Sequence, residues 1–219
     1  MQIRRPLAAV ILSCSVLAIA GCETAPPPPA PRPAAFTPLG VTAPYLAGDV
    51  IGGHRTRAAK MHAAKIHPLS PYAAYTYMAN LGAELRQQTA GIGLDVLNVG
   101  NSIVIRVPAT FTFDAGSATV KPQTDATLLE IARTVKTRDQ TFVDVLAHTD
   151  TTGTPEGNLA LSQKRAAAVA TYLANHGVAK ARIASHGLGE SVPLYNPDET
   201  DDQKAANRRI EIRLVPYVG

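Results

Sequence analysis

From Gly93 onward, apolar and polar residues alternate with a period of two through GLDVLNVGNSIVIRVP, and an Asn-containing break at Asn98 to Ser102 predicts a β-hairpin. Phe111 to Ala118, FTFDAGSA, reads as a strand running into a turn. The period then lengthens. Pro122 opens a segment whose apolar positions Leu128, Ile131, Ala132 and Val135 share one helical face. The order repeats, with a strand over Thr141 to Ala147 that ends at His148-Thr149-Asp150. The next helix is capped by Thr154, has Pro155 in its first position and stops at Gly177. It is expected to turn Leu159, Ala166, Val169, Ala170 and Leu173 toward the core. Arg182 to Gly187 and Arg209 to Val215 supply two last strands. The sum is an α+β fold with two main helices packed on a mixed β-sheet.

Ahead of this pattern the chain changes character. Pro71 to about Gln88 consists of good helix formers ending at Ala90-Gly91, a helix leading into the domain. Residues 40–70 carry a glycine pair, Gly52-Gly53, and a basic run. Arg55 to Ile66 reads as a short basic helix, either a solvated linker or a surface element touching anionic lipid or wall. Pro26 to Pro38 is proline-rich and too poor in apolar residues to build a core. As polyproline II it would reach roughly 40 Å, at about 3.1 Å per residue.

The first residues hold a basic pair, Arg4 and Arg5, and an apolar run from Leu7 to Ala20, too short to span a bilayer. The run ends in Ile19-Ala20-Gly21-Cys22, small residues before a cysteine, which resembles a bacterial lipobox and implies diacylglycerol on the Cys22 thiol. The second cysteine, Cys14, lies inside the signal, so the mature chain has no disulfide to form. Glu23 after the cysteine implies an outer-membrane address with the body facing the periplasm. The expected parts are a signal peptide over 1–21, a lipidated N-terminus and tether over 22–70, a helix and hairpin over 71–104, and a domain over 105–219.

Charge and composition exclude some classes. Losing Arg4 and Arg5 with the signal lowers the formal charge from +4 to about +2, and no basic run alternates with aromatics, so no nucleic-acid partner is expected. His62 and His67 have no cysteine or carboxylate at ligand spacing, so neither metal nor other cofactor is expected. Ser162 has no evident histidine partner and no carboxylate pair suggests glycoside cleavage, so no enzyme is expected.

The motifs FTFDAGSA, HTDTTG with Asn158, Leu161-Ser162 and Arg165-Ala166, then Tyr172-Leu173, Gly177-Val178, Arg182-Ile183, Gly189-Glu190 and Asn207-Arg208-Arg209-Ile210-Glu211 resemble the OmpA-like C-terminal domain family, its lipoprotein subgroup in particular. The resemblance runs over roughly residues 105–215. Ala147 departs from it, standing where a glycine commonly precedes the histidine.

That resemblance implies binding to peptidoglycan through the meso-diaminopimelate of its stem peptide, whose free end carries an ammonium and a carboxylate. Asp150 and Arg165 are the implied central pair, with Asn158 and Arg208 in support and Asp114 to Gly116 on the rim. Such chemistry suits a zwitterion, because a guanidinium forks onto a carboxylate while an aspartate accepts from an ammonium. Asn158, Ser162 and Arg165 recur at i, i+4 and i+7 and so share one helix face. A simpler arrangement, in which Asp150 and Arg165 pair with each other to fix the turn, also satisfies the spacing. Glu190, Arg209 and Glu211 are expected to be structural or solvated, and His148 a hydrogen-bonding strand end. The function expected is an outer-membrane lipoprotein clipping membrane to wall; the alternative is an envelope adaptor that uses the domain as a wall anchor and binds a protein partner elsewhere.

Overall fold

The computed structural model describes residues 50–219. The signal, Cys22 and the proline-rich tether lie outside the described residues. Two helices come first, α1 (His54–Ala63) and α2 (Pro71–Gln88). Ser70 caps α2 by accepting from the Ala73 amide, and Pro71 occupies the first helical position. The hairpin β1 (Asp95–Val99) and β2 (Ser102–Pro108) follows, then α3 (Ala109–Thr112), α4 (Asp125–Thr137), β3 (Thr141–His148), α5 (Pro155–Asn175), β4 (Ile183–Gly189), α6 (Asp201–Asn207) and β5 (Arg209–Pro216).

The five strands form one mixed sheet in the order β1-β2-β5-β3-β4. β3 and β4 are parallel and joined through α5; the other neighbours are antiparallel. Every residue of the central strands β3 and β5 is buried. Period-two alternation splits them between two faces. Val143, Val145, Ala147, Ile210, Ile212 and Leu214 join Ile103 and Ile105 in the main core, closed by Leu81 and Leu85 of α2, Leu128 and Ile131 of α4, and Val169 and Leu173 of α5. Three helices therefore build the core face, the expected pair plus α2.

The opposite face is charged, yet buried. Asp144 is completely inaccessible and receives Arg213 of the neighbouring strand at 2.7 Å and Arg57 of α1. Glu211 pairs with Arg209 at 2.7 Å and Arg106 at 3.6 Å. Here the expectation for residues 55–66 is corrected. α1 is not a solvated linker, because Arg57 is drawn to the buried carboxylate and Met61 enters a second cluster with Val50, Ile66, Phe142, Val215 and Tyr217. Among the described residues the packed body thus includes Val50, inside the stretch expected to be tether.

Two smaller readings are also corrected. Phe111 to Phe113 is not a strand: both flanks of β2 are already taken by β1 and β5, and the chain turns into the single-turn α3, with the Ala109 amide bonded to the Arg208 carbonyl at 2.9 Å. Leu159 is 43% exposed rather than core, because α5 at this level passes the last residue of β4. The approach of α5 to β4 is close enough to require glycine: a Cβ on Gly187 would stand 2.1 Å from the Gln163 amide nitrogen.

Candidate functional site

The C-terminal end of β3, the first turns of α5, the α6–β5 junction and the loop after α3 meet at one end of the sheet. Asp150 leaves β3 after the Thr149 amide bonds to the Gly189 carbonyl at 2.9 Å. Its carboxylate accepts from the Thr152 amide at 3.1 Å through Oδ1 and is ion-paired through Oδ2 with Arg208. Asp150 is buried while the Arg208 side chain is about one-third exposed, so the pair has a dry side and a wet side (7% and 33%).

Arg165 lies on α5, on the same face as Asn158 and Ser162, all three buried. Its guanidinium is not paired with Asp150. Nε donates to the Ser117 carbonyl at 2.8 Å and Nη2 to the Asp114 carbonyl at 3.2 Å, while the plane sits over Phe113 at 5.2 Å. The reading in which Asp150 and Arg165 simply satisfy each other is therefore replaced by a three-charge arrangement. Arg165 feels both others: burial and the nearby Arg208 push its pKa down, and Asp150 pushes it up. It remains a cation at neutral pH, as arginine does in proteins. Among the described residues its Nη1 makes no hydrogen bond, and that atom is not sealed from water.

Asn158 ties the turn to the loop after β4. Its Nδ2 donates to the Asp150 carbonyl at 3.1 Å and to Glu190 Oε2 at 2.7 Å. Glu190, expected to be structural, thus brings a second carboxylate to the group. Ser162 faces inward, accepting from the Gly189 amide and donating to the Leu159 carbonyl, both at 2.8 Å. It fixes α5 on β4 and offers no nucleophile.

On the rim, the Asp114 side chain is 78% exposed and lies 3.5 Å from Lys121 Nζ. Gly116 has φ +66, a conformation that Cβ-bearing residues adopt at a cost, and it lets the loop turn its carbonyls toward Arg165. Behind the site stands the buried His148, 3.9 Å from Glu211. Burial and Arg209 push its pKa down to about 3, outweighing Glu211, so the ring is neutral. Burial opposes the Glu211 charge, but Arg209, by its charge and its hydrogen bond, and Arg106 overcome it and leave the pKa at about 2.

Sequence reasoning missed Asp198. Its carboxylate accepts from the Thr151 amide at 3.1 Å, from the Thr151 hydroxyl, and from Asn207 Nδ2 at 3.0 Å. Asn207 was noted for the motif alone. The one signal for it in the sequence is an acidic residue in the polar loop before the Asn-Arg-Arg run. No group of three or more metal-ligating side chains is assembled among the described residues, and no helix among them is long and apolar enough to cross a membrane.

With this geometry in hand, known proteins can be compared. The OmpA family model matches residues 112–208. The "Probable lipoprotein YiaD" of Escherichia coli (strain K12) is 41% identical over 140 residues, 64% of this chain and 64% of that protein. The peptidoglycan-associated lipoprotein of Pseudomonas putida is 33% identical over 128 residues, 57% of this chain and 76% of that protein. Among solved structures, the cell wall anchor of the T6SS from Pseudomonas aeruginosa aligns with a TM-score of 0.56 at 25% identity, covering 62% of this chain and 96% of that one. The chain covers just under two thirds of the first of these relatives, and about half (53%) of outer membrane protein A from Bordetella avium.

Proposed function

The chain belongs to the OmpA family, and from that premise we propose that it is a non-enzymatic envelope lipoprotein whose folded body holds peptidoglycan at the Asp150–Arg208–Arg165 group. The observation that carries this reading is the geometry of that group. Two guanidiniums flank one buried aspartate, and a second carboxylate, Glu190, is joined to it through Asn158.

The free end of meso-diaminopimelate has the complementary charges. Its carboxylate takes charge-assisted hydrogen bonds from Arg165 and the exposed side of Arg208. Its ammonium donates to Asp150 and to acceptors on the Asp114–Gly116 rim. Because Arg165 is already clamped on two loop carbonyls, little side-chain entropy remains to be lost on binding. The remainder of the reading follows from the N-terminal motif: acyl chains on Cys22 anchor the protein in the outer membrane, the head faces the periplasm, and the tether clips membrane to wall.

The peptidoglycan-associated lipoprotein among the relatives supports wall binding, and the likeness to a cell wall anchor supports the adaptor form of the same reading, in which a further envelope protein is carried. Calorimetric titration with a stem peptide ending in diaminopimelate, and with its lysine counterpart, tests the specificity. Saturable binding of the first and at least tenfold weaker binding of the second is expected. Equal affinity for both removes the zwitterion from the account.

A further inference from the structure

Asp150 and Arg208 are 58 residues apart in sequence and sit on two separate turns. An ion pair alone does not fix the relation between two surface turns, because side chains can follow each other as the backbones drift. A second connection lies directly beneath it. Thr151, the residue after Asp150, gives both its amide and its hydroxyl to Asp198. Asn207, the residue before Arg208, gives its Nδ2 to the same Asp198 carboxylate at 3.0 Å. Both members are buried, at 4% for Asp198 and 0% for Asn207.

The chemistry of Asn207 is fully used. Nδ2 also donates to the Tyr195 carbonyl at 2.9 Å, and Oδ1 accepts from the amides of Leu194 and Tyr195 at 2.7 and 3.1 Å. A side chain with two donors and two acceptor sites is what this position demands, and a carboxamide supplies it. Asp198 in turn accepts three hydrogen bonds. Burial works against its charge, but the donors from Thr151 and Asn207 hold its pKa below the usual carboxylate value.

Resting on the reading of Asp150 and Arg208 as wall-binding residues, we propose that Asp198 and Asn207 are positioning residues for that site. Their buried contact bolts the turn carrying Asp150 to the turn carrying Arg208, and so presets the carboxylate and guanidinium in the geometry the stem peptide meets. The bolt is separable from the fold. The same loop is held independently by Arg209 Nη2 on the Val192 carbonyl at 3.1 Å, and α6 by its own capping box between Thr200 and Gln203. Cutting the bolt leaves those anchors, and its effect falls on the site.

The test uses Asp198→Ala, which removes both acceptor oxygens and leaves the Thr151 and Asn207 donors unmatched, and Asp198→Asn, whose amide oxygen takes the place of Oδ2 under the Thr151 amide and Asn207 Nδ2 while its own Nδ2 donates to the Thr151 hydroxyl. Affinity of the purified protein for the diaminopimelate stem peptide is measured with thermal unfolding and with hydrogen exchange at the Thr152 amide, which bonds Asp150 rather than Asp198. Asp198→Ala is expected to unfold cooperatively, bind at least tenfold more weakly and lose protection at Thr152. Asp198→Asn is expected to keep both.

Unchanged affinity and unchanged Thr152 protection in a folded Asp198→Ala overturn the proposal. So does an equal loss in Asp198→Asn, which marks the carboxylate charge rather than the contact. If the unaltered protein does not bind the peptide, the functional reading fails, and Thr152 exchange alone decides the bolt: lost in Asp198→Ala and kept in Asp198→Asn upholds it, unmoved overturns it.

Discussion

His148 is sealed behind the site, and a sealed histidine resists protonation. Its folded pKa of about 3 lies below the ordinary 6.5, so its contribution to stability is complete above pH 6.5 and is lost as the pH falls toward 3. Glu211, at about 2 against an ordinary 4.5, acts in the same direction but only below 4.5. Between pH 6.5 and 4.5 the slope from His148 is on the order of 1.4 kcal/mol per pH unit. Urea unfolding across that window is expected to show a shallower loss for His148→Gln; an unchanged slope would mean the ring is not held neutral. Arg165 makes a second residue-level prediction. Arg165→Lys keeps the charge but cannot span both the Ser117 and Asp114 carbonyls, so wall binding is expected to fall at least tenfold in a pull-down on purified peptidoglycan. At this scale the sequence named Asp150, Arg165, Asn158 and Arg208 through a motif and a helical spacing. It did not show that Asp150 pairs with Arg208 or that Asp198 lies beneath them, because those contacts cross a polar loop whose path has no periodic pattern.

Among the elements, α1 departs most from its sequence. Its basic, weakly apolar composition reads as solvated, and what draws it in is a charge on another element, Asp144 in the middle of β3. Removing one partner of a buried ion pair leaves a charge uncompensated, which typically costs 3–5 kcal/mol. Because Arg213 still faces Asp144, Arg57→Ala is expected near the low end, about 3 kcal/mol, with residues 54–63 cut early in limited proteolysis. An unaltered cleavage pattern would show that α1 is held by Met61 and its apolar neighbours alone. The α5–β4 contact predicts a second cost. Gly187→Ala drives a methyl into the α5 backbone and is expected to destabilise by about 3 kcal/mol, read as a lowered thermal midpoint. By contrast α2, α4, α5 and the hairpin were legible: Pro71 opens α2, Thr154 and Pro155 open α5, one apolar face marks α4, and alternation marks the hairpin. The false strand at Phe111 arose because alternation in three residues cannot say whether a sheet edge is free.

For the molecule as a whole, the sheet separates two tasks. One face closes on α2, α4 and α5 and supplies the apolar core. The other buries a ladder of charges from Asp144 to Glu211, leading to the end where Asp150, Arg165 and Arg208 meet. Alternating strands made the two faces legible in the sequence, but the burial of the charged one was not, because its cover, α1 and the loop before α6, is remote in the chain. The central claim is that this end of the sheet holds the wall. Its most direct test is co-sedimentation of the purified protein with diaminopimelate-type peptidoglycan, alongside folded Asp150→Ala and Arg165→Ala variants. The account predicts that the unaltered protein pellets with the wall and that both variants stay in the supernatant. Variants that pellet as well as the unaltered protein would contradict it.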